Sequence, residues 1–277
     1  MSNVLESATQ VATRMPVLFV PHGAGPCFFM DWNPPDTWHG LAGYLKGVAN
    51  TLPAPPRAIV LISAHWLTPE FAITGHRKPH LIYDYYGFPA HTYELRYDAP
   101  GEPPLAEHIS ALMRESGLQV RVDPERGFDH GVFIPLKLMF PNADIPVIQL
   151  SLRRDLDAAA HIKAGKALSA LRDEGVLIVG SGMSSHNMRG YGDARYTQLS
   201  AEFDHWLATA VQSPADQRKA LLADWKRAPH ALLCHPPGGE EHLVPLMVAA
   251  GAAADSVGQQ AYSETIMQTT ISAFRFG

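Results

Sequence analysis

The sequence predicts an α/β fold: a single domain whose central sheet is mostly parallel or mixed, is flanked by helices and carries its functional site at the carboxyl ends of the strands. Two observations favour this fold. Short, nearly continuous apolar runs recur along the chain, which is typical of strands that are buried on both faces. Helix-like segments separate these runs, and such alternation of strands and helices indicates an α/β architecture.

The individual elements follow from the same pattern. The apolar runs predict strands at PVLFV (16–20), AIVLISA (58–64), IPVIQLSL (145–152) and VLIVGSG (176–182), with TIMQTTISAFRFG (265–277) closing the sheet as an edge strand. Segments of helical periodicity predict helices at 41–52, 104–117, 157–175, 198–212 and 241–253. Two loops, 22–40 and 66–103, are long for a compact domain, and loops of that length are usually functional or mobile.

One domain is expected over residues 16–277, because the 22 glycines and 23 prolines are spread among loops and mark no linker. Residues 1–15 are expected to form a flexible N-terminal arm. This arm has neither the basic start nor the apolar stretch of a secretory signal.

The bulk composition excludes several classes of partner. A net charge of −5 supplies no basic field for nucleic acid. Apolar stretches are shorter than the ~18–20 residues that a membrane helix needs. The two cysteines, Cys27 and Cys234, are too few for a disulfide framework and suit a reducing compartment. We therefore expect a cytoplasmic globular protein.

Histidines mark the predicted site. The chain has 14 of them; His22 and His65 each follow directly on an apolar run, and His186 comes four residues after VLIVGSG. In open α/β sheets the ligand crevice lies beyond the carboxyl ends of the strands. These histidines are therefore placed where such a fold carries its chemistry.

Further candidate ligands stand in two other segments. HPPGGEEHLVPL carries His235, Glu241 and His242, and RGFDHGVFIPL carries Asp129 and His130. These spacings match no local metal signature, but ligands assembled from strand ends need not. Imidazole and carboxylate suit Fe(II), Mn(II) or Zn(II). Two histidines and a carboxylate would leave positions open for substrate and oxygen, whereas three histidines and water would suit zinc hydrolysis.

Two other interpretations of these motifs are weaker. The GAG turn after His22 could bind an anion through its backbone N–H groups, but it lacks the G-x-G-x-x-G spacing. GSGMSSH (180–186) is similar to a nucleophile elbow, yet its spacing departs from G-x-S-x-G, so a serine hydrolase is not expected.

Several motifs in one order resemble a known family. PHGAGPCFF, ISAHW, YDYYGFPAHTYELRYDAPGEP, FDHGVFIPL, SGMSSHN and EEHLVPLMVAAGA together resemble the class III extradiol ring-cleavage dioxygenases, in the branch that includes DOPA 4,5-dioxygenase-like proteins. The resemblance runs from about residue 16 to the C-terminus.

The resemblance implies roles for individual residues. His22 and His65 match two metal ligands. We expect His242, the match in this branch, to be the third ligand, and Glu241, which would serve in the wider superfamily, stays open as the alternative. His186 matches the acid/base histidine, and whether it also contacts the metal stays open. His130 matches a histidine that contacts the substrate or bound oxygen.

The resemblance also implies the chemistry. We expect one divalent metal ion, which is Fe(II) for activity although purified protein could carry Zn(II) instead, and cleavage of a catechol-type ring with O2 to a muconic semialdehyde. The expected partners are a small aromatic substrate and O2, with a homo-oligomer as the default assembly. A zinc-binding member with hydrolytic or no oxygenase activity is the alternative, and a non-catalytic binding protein is a third.

One departure and several pocket residues bear on the substrate. Many members have serine and proline after the first HG, where this chain has Ala24–Gly25–Pro26. Aromatic side chains that could line the pocket are Phe28, Trp32, Tyr85, Tyr86 and Phe88, and arginines that could meet a carboxylate are Arg96 and Arg189. Asp129 could orient its neighbour His130 or could equally cap a turn.

Overall fold

The computed structural model describes residues 14–277. The predicted arm, residues 1–15, lies outside the described residues except for its last two. Arg14 pairs with Asp173 at 2.6 Å, and the Met15 side chain is buried. Among the helices of residues 14–277, none combines the length and the apolar character that crossing a membrane requires.

The core of the domain is one mixed sheet of eight strands in the order β4-β3-β5-β2-β6-β1-β8-β7. The strands are β1 (Val17–Pro21), β2 (Ala58–Thr68), β3 (Phe71–Thr74), β4 (Val120–Asp123), β5 (Val147–Arg153), β6 (Val176–Gly182), β7 (Gly258–Ile266) and β8 (Thr269–Phe276).

The centre of this sheet is parallel. β5, β2, β6 and β1 are neighbours that all run the same way, whereas β8 pairs with β1 in the antiparallel sense. Val20 and Ser63 are both paired with Ser181 on the strand between them, so β1, β2 and β6 reach the same level of the sheet. Their carboxyl ends therefore share one edge.

Helices cover both faces of the sheet. They are α1 (His39–Gly47), α2 (Pro103–Glu115), α3 (His130–Met139), α4 (Ala158–Leu168), α5 (Arg195–Gln212), α6 (Ala215–Ala223), α7 (Ala231–Cys234) and α8 (Val244–Ala252). Alternate residues of β1 belong to two apolar clusters: Val17 and Phe19 to the one that includes residues of α2 and α4–α8, and Leu18 and Val20 to the one that includes residues of α1 and α3. The result is three layers around a sheet buried on both faces, which explains the continuous apolar runs.

The α/β prediction is confirmed, and the sheet is mixed. The end of the chain differs from the prediction: residues 265–277 do not form an edge strand. β7 and β8 form a hairpin, and β7 is the edge. The turn residues Met267 and Gln268 both have positive φ, as a type I′ hairpin turn requires.

Other differences concern short or irregular elements. The short strands β3 and β4 and the helix α6 were not predicted, and the segment after Asp129 is the helix α3. β2 does not end at His65 but continues to Thr68. Its register against β5 shifts between Ile62 and Leu67, so His65 lies in an irregular part of the strand.

Candidate active site

Two histidines lie at the shared carboxyl edge of the parallel strands. His22 follows the last residue of β1, and its backbone N–H donates to the Gly182 carbonyl at 3.0 Å. The backbone N–H of His65 donates to Ser63 Oγ at 3.1 Å within the irregular part of β2. Such bulges redirect side chains, and here the two imidazoles meet: His65 Nε2 lies 3.3 Å from His22 Nε2.

The third histidine of this group reaches it from the loop before α8. The backbone of His242 lies against the end of β6, where Met183 N–H donates to its carbonyl at 3.0 Å. A Cβ atom on Gly182 would come within 2.0 Å of that same carbonyl oxygen, so only glycine permits this approach. The His242 ring is 5.2 Å from the His22 ring and 4.9 Å from the His65 ring, centroid to centroid.

Hydrogen bonds determine which ring nitrogen of His22 and of His242 is free of a proton in the group that these residues form with His65. Ser181 Oγ donates its only proton to the Gly131 carbonyl, so it accepts from His22 Nδ1–H, 3.3 Å away. Glu241 Oε1 accepts from His242 Nδ1 at 2.9 Å. In both rings the proton is on Nδ1, which leaves the Nε2 lone pair free to bind a metal. This arrangement is common behind metal-binding histidines.

Burial keeps these rings neutral. Desolvation lowers the pKa values of His22, His65 and His242 well below 6.5, and neighbouring histidines lower them further. Neutral imidazole is the form that binds metals. One nitrogen from each of the three rings lies within 4.8 Å of the others, and this donor set could hold one divalent metal ion.

Glu241, the alternative third ligand, lies behind His242. Burial raises the pKa of this carboxyl group. Its carboxylate belongs to a neighbouring group with His186 and His242, whereas His242 itself also joins His22 and His65. The geometry thus favours a three-histidine set with Glu241 as the hydrogen-bond partner of one ring.

His186 lies beside the group after β6. Its ring stacks on His242 with centroids 3.5 Å apart and planes inclined by 15°. Its backbone N–H donates to the Cys234 carbonyl at 2.9 Å. Burial, followed by the charge of His130, lowers the pKa of His186 to about 4. At neutral pH this imidazole is therefore uncharged and can accept a proton.

His130 completes the cluster as the first residue of α3. Its ring lies 3.9 Å from the His65 ring and 5.3 Å from the His22 ring. The hydrogen-bond partner of its Nδ1 is Asp84 Oδ1, at 2.8 Å, rather than Asp129. Asp84 was not singled out from the sequence, although it stands in the quoted tract YDYYGFP.

Asp129 does not orient His130 as the sequence suggested. Its fully buried carboxylate accepts from Ser63 Oγ at 2.6 Å and from Arg126 Nη2 at 3.0 Å, and it contacts Gln149. Burial raises the pKa of Asp129. Because Ser63 also binds the backbone of His65, Asp129 supports the irregular part of β2.

The aromatic residues have different positions. Tyr85 meets His130 edge to face at 5.7 Å and Phe88 at 5.5 Å. A Cβ on Gly25 would be 3.0 Å from the Phe88 ring, so the GAG turn and the YDYYGFP tract pack together near the histidines. Tyr86 is 92% exposed, whereas Phe28 and Trp32 each pack edge to face on Trp38. Arg96 and Arg189 are both exposed.

His235, from the same segment as His242, belongs to the core and not to this cluster. Its Nε2–H donates to the Ser184 carbonyl at 3.0 Å, and its ring packs against Phe203 and Trp225. Burial lowers its pKa from 6.5 to about 4.

The burial of His235 predicts acid sensitivity of the metal-free protein. The unfolded chain protonates this ring below pH 6.5, but the folded protein does so only near pH 4. Its contribution to the free energy of unfolding is therefore intact above pH 6.5 and falls by about 1.4 kcal/mol per pH unit toward pH 4. Denaturant unfolding between pH 7 and pH 4 should show a shallower pH slope for His235→Gln than for wild type. Identical slopes would contradict the prediction.

The known proteins to which this chain is similar include dioxygenases. The model of the family described as the catalytic LigB subunit of aromatic ring-opening dioxygenase matches residues 17–275. A dioxygenase of Hapsidospora irregularis is 40% identical over 286 residues, covering 96% of this chain and 87% of that protein. A 4,5-DOPA dioxygenase extradiol of Escherichia coli strain K12 is 35% identical over 258 residues, covering 91% and 90%. The protein of the same name from Beta vulgaris is 43% identical over 204 residues, covering 73% and 75%.

The fold is also found among solved structures. The crystal structure of an uncharacterized protein from Escherichia coli K12 superposes with a TM-score of 0.74 at 28% sequence identity. The match covers 95% of this chain and all of the other. The whole architecture, and not one motif, is therefore shared.

Proposed function

The chain belongs to the LigB family of class III extradiol ring-cleavage dioxygenases, in the branch of the DOPA dioxygenases, and from this membership we propose that it cleaves a catechol-type ring with O2 to a muconic semialdehyde. The observation that carries the proposal is the convergence of three neutral histidines, His22, His65 and His242, at the carboxyl edge of the sheet. Two further histidines, His130 and His186, stand beside them and supply proton-transfer groups.

The three converging histidines would hold one divalent metal ion, which we propose to be Fe(II) in the active enzyme. The tautomers fixed by Ser181 and Glu241 fit this role, because they direct the free Nε2 atoms of His22 and His242 toward the group. When bound, such an ion supplies the Lewis acidity and the electron transfer that a catechol and O2 need to react.

Proton transfer is assigned to His186 in this proposal. A base must be unprotonated to take the proton of a catechol hydroxyl, and burial keeps the His186 ring neutral at pH 7. The flat stacking of His186 on His242 holds it in one orientation next to the ligands. His130, whose Nδ1 is bound to Asp84, has Nε2 left to contact the substrate or oxygen.

The aromatic side chains near His130 would shape the substrate pocket. Tyr85 packs on the His130 ring, and Phe88 packs on both Tyr85 and the turn at Gly25. Such a wall suits a flat ring and excludes water from it.

Oxygen uptake tests the proposed function. Protein reconstituted with Fe(II) under anaerobic conditions is mixed with each member of a panel of catechols. The panel includes DOPA, because several relatives carry DOPA in their names. We expect O2 consumption with at least one catechol and a yellow ring-opened product in the ultraviolet–visible spectrum. The same protein without metal serves as control. Absence of uptake across the panel by protein that retains one Fe(II) per chain would refute the proposal.

Zinc binding with hydrolytic or no oxygenase activity is the second candidate. The observation that favours it is the all-histidine donor set, since three histidines also form catalytic zinc sites. Zinc-loaded protein that hydrolyses an ester panel, together with an inactive Fe(II) form, would support this candidate over the first.

A further inference from the structure

The long loop before α2 is joined to the start of α3 by a short ladder of backbone hydrogen bonds. Phe128 N–H donates to the His80 carbonyl, and Ile82 N–H donates to the Phe128 carbonyl, each at 2.8 Å. Leu81 and Phe128 form an isolated parallel bridge. This ladder brings Asp84, two residues beyond Ile82, to the first turn of α3.

One carboxylate oxygen of Asp84 makes two hydrogen bonds with the same residue. Oδ1 accepts from the backbone N–H of His130 at 2.9 Å and from Nδ1 of its ring at 2.8 Å. Asp129, which precedes His130 and would ordinarily cap the helix, directs its side chain to Ser63 and Arg126 instead. Asp84 therefore caps α3 from another part of the chain.

The second oxygen of Asp84 lies near His65 without a hydrogen bond to it. Asp84 Oδ2 is 3.9 Å from Nδ1 of His65, which is too long for a hydrogen bond. The Asp84 side chain is 24% exposed, whereas the His130 side chain is 7% exposed. The Asp84 carboxylate is thus hydrogen-bonded to His130 and is not hydrogen-bonded to His65.

We propose that Asp84 is a positioning residue that holds His130 as the Nδ1–H tautomer, so that Nε2 is the unprotonated nitrogen of a ring whose centroid lies 3.9 Å from that of His65. The backbone contact fixes which oxygen faces the ring, and that oxygen can only accept. The effect of Asp84 on turnover rests on the proposed function, but the tautomer does not. A metal-ligand role for Asp84 is a different outcome of the same experiments.

Nitrogen NMR of the metal-free protein tests the tautomer. Long-range proton–nitrogen spectra of histidine-labelled protein distinguish Nδ1–H from Nε2–H rings, and loss of a signal in His130→Ala assigns His130. We expect the Nδ1–H pattern in wild type and its loss in Asp84→Ala. Asp84→Asn should keep the pattern, because its Oδ1 must still face the backbone N–H. An Nε2–H ring in wild type, or an unchanged ring in Asp84→Ala, would overturn the proposal.

Turnover tests the consequence. Asp84→Ala should lower kcat by about 10–100-fold while the Kd for Fe(II), measured by chelator competition, changes less than about tenfold. Asp84→Asn should lose less than tenfold in kcat, and Asp98→Ala, an exposed carboxylate of the same loop, should match wild type. The double variant Asp84→Ala/His130→Ala should have the same kcat as His130→Ala alone, because Asp84 acts through His130.

Failure of the positioning role of Asp84 and failure of the proposed function would give different results. Additive losses in the double variant, equal losses in Asp84→Asn and Asp84→Ala, or metal loss in Asp84→Ala would each overturn the positioning role. If no catechol is consumed by wild type, the proposed function fails, but the NMR result still decides whether Asp84 holds His130.

Discussion

Alanine in place of His22, His65 or His242 is expected to abolish metal binding and turnover together. Each ring contributes one nitrogen to a group whose members lie within 4.8 Å of one another. Loss of one ligand from such a site costs on the order of 3 kcal/mol of metal binding, which is more than a hundredfold in Kd. The measurement is metal content after reconstitution, together with competition against a chelator of known affinity.

The matched control is His205→Ala. His205 is exposed on α5, away from the three-histidine group, and its replacement should leave metal content and turnover unchanged. Circular dichroism of each variant checks that the fold is retained. If any of the three variants kept one tightly bound Fe(II) per chain and near-normal turnover, that histidine would not be a ligand.

Replacing His186 with alanine is expected to have a different signature, a loss of rate without a loss of metal. His186 is neutral at pH 7 because burial lowers its pKa to about 4, and it stacks on His242 without belonging to the three-histidine group. Loss of a general acid/base typically costs about 10²–10⁴-fold in rate. We therefore expect kcat to fall by that factor, with metal content unchanged.

Stopped-flow spectroscopy separates the two possible roles of His186. Anaerobic mixing of the Fe(II) variant with catechol should show substrate binding with a slower appearance of the deprotonated catechol. Loss of the metal from His186→Ala would instead make His186 a ligand. Turnover of His186→Ala at the wild-type rate would show that His186 takes no part in the reaction.

The sequence predicted the centre of the fold because the central strands are buried on both faces. β1, β5 and β6 stand out as continuous apolar runs, and their carboxyl ends locate the site. β3 and β4 have only four residues each, which is too short for a recognisable strand pattern in the sequence. The hairpin β7–β8 was missed because its turn, Met267–Gln268, contains no glycine, asparagine or aspartate.

The site was predictable only in part. His22, His65 and His186 are marked by their positions at strand ends, and the family resemblance added His242 and His130. The partner of His130 was assigned to the adjacent Asp129, but adjacency along the chain does not determine which side chain turns toward a ring. Asp84 lies 46 positions from His130 and reaches it through the ladder at Phe128, which no local spacing reveals.

The roles of Ser181 and Glu241 follow only from hydrogen-bond geometry. Ser181 lies in GSGMSSH, whose spacing already argued against a nucleophile elbow, and its hydroxyl is fully buried between Gly131 and His22. Glu241 was one of two candidates for the third ligand, and its contact with His242 Nδ1 gives it an orienting position instead.

The proposed ring cleavage requires a metal ion held by His22, His65 and His242. The most direct test is the ratio of O2 consumed to catechol consumed by Fe(II)-loaded wild type, measured beside the His22→Ala variant under the same conditions. We expect one O2 per catechol with formation of a yellow product in wild type, and no uptake in the variant. Wild-type protein that holds one Fe(II) per chain, binds catechol and consumes no O2 would refute the proposed ring cleavage.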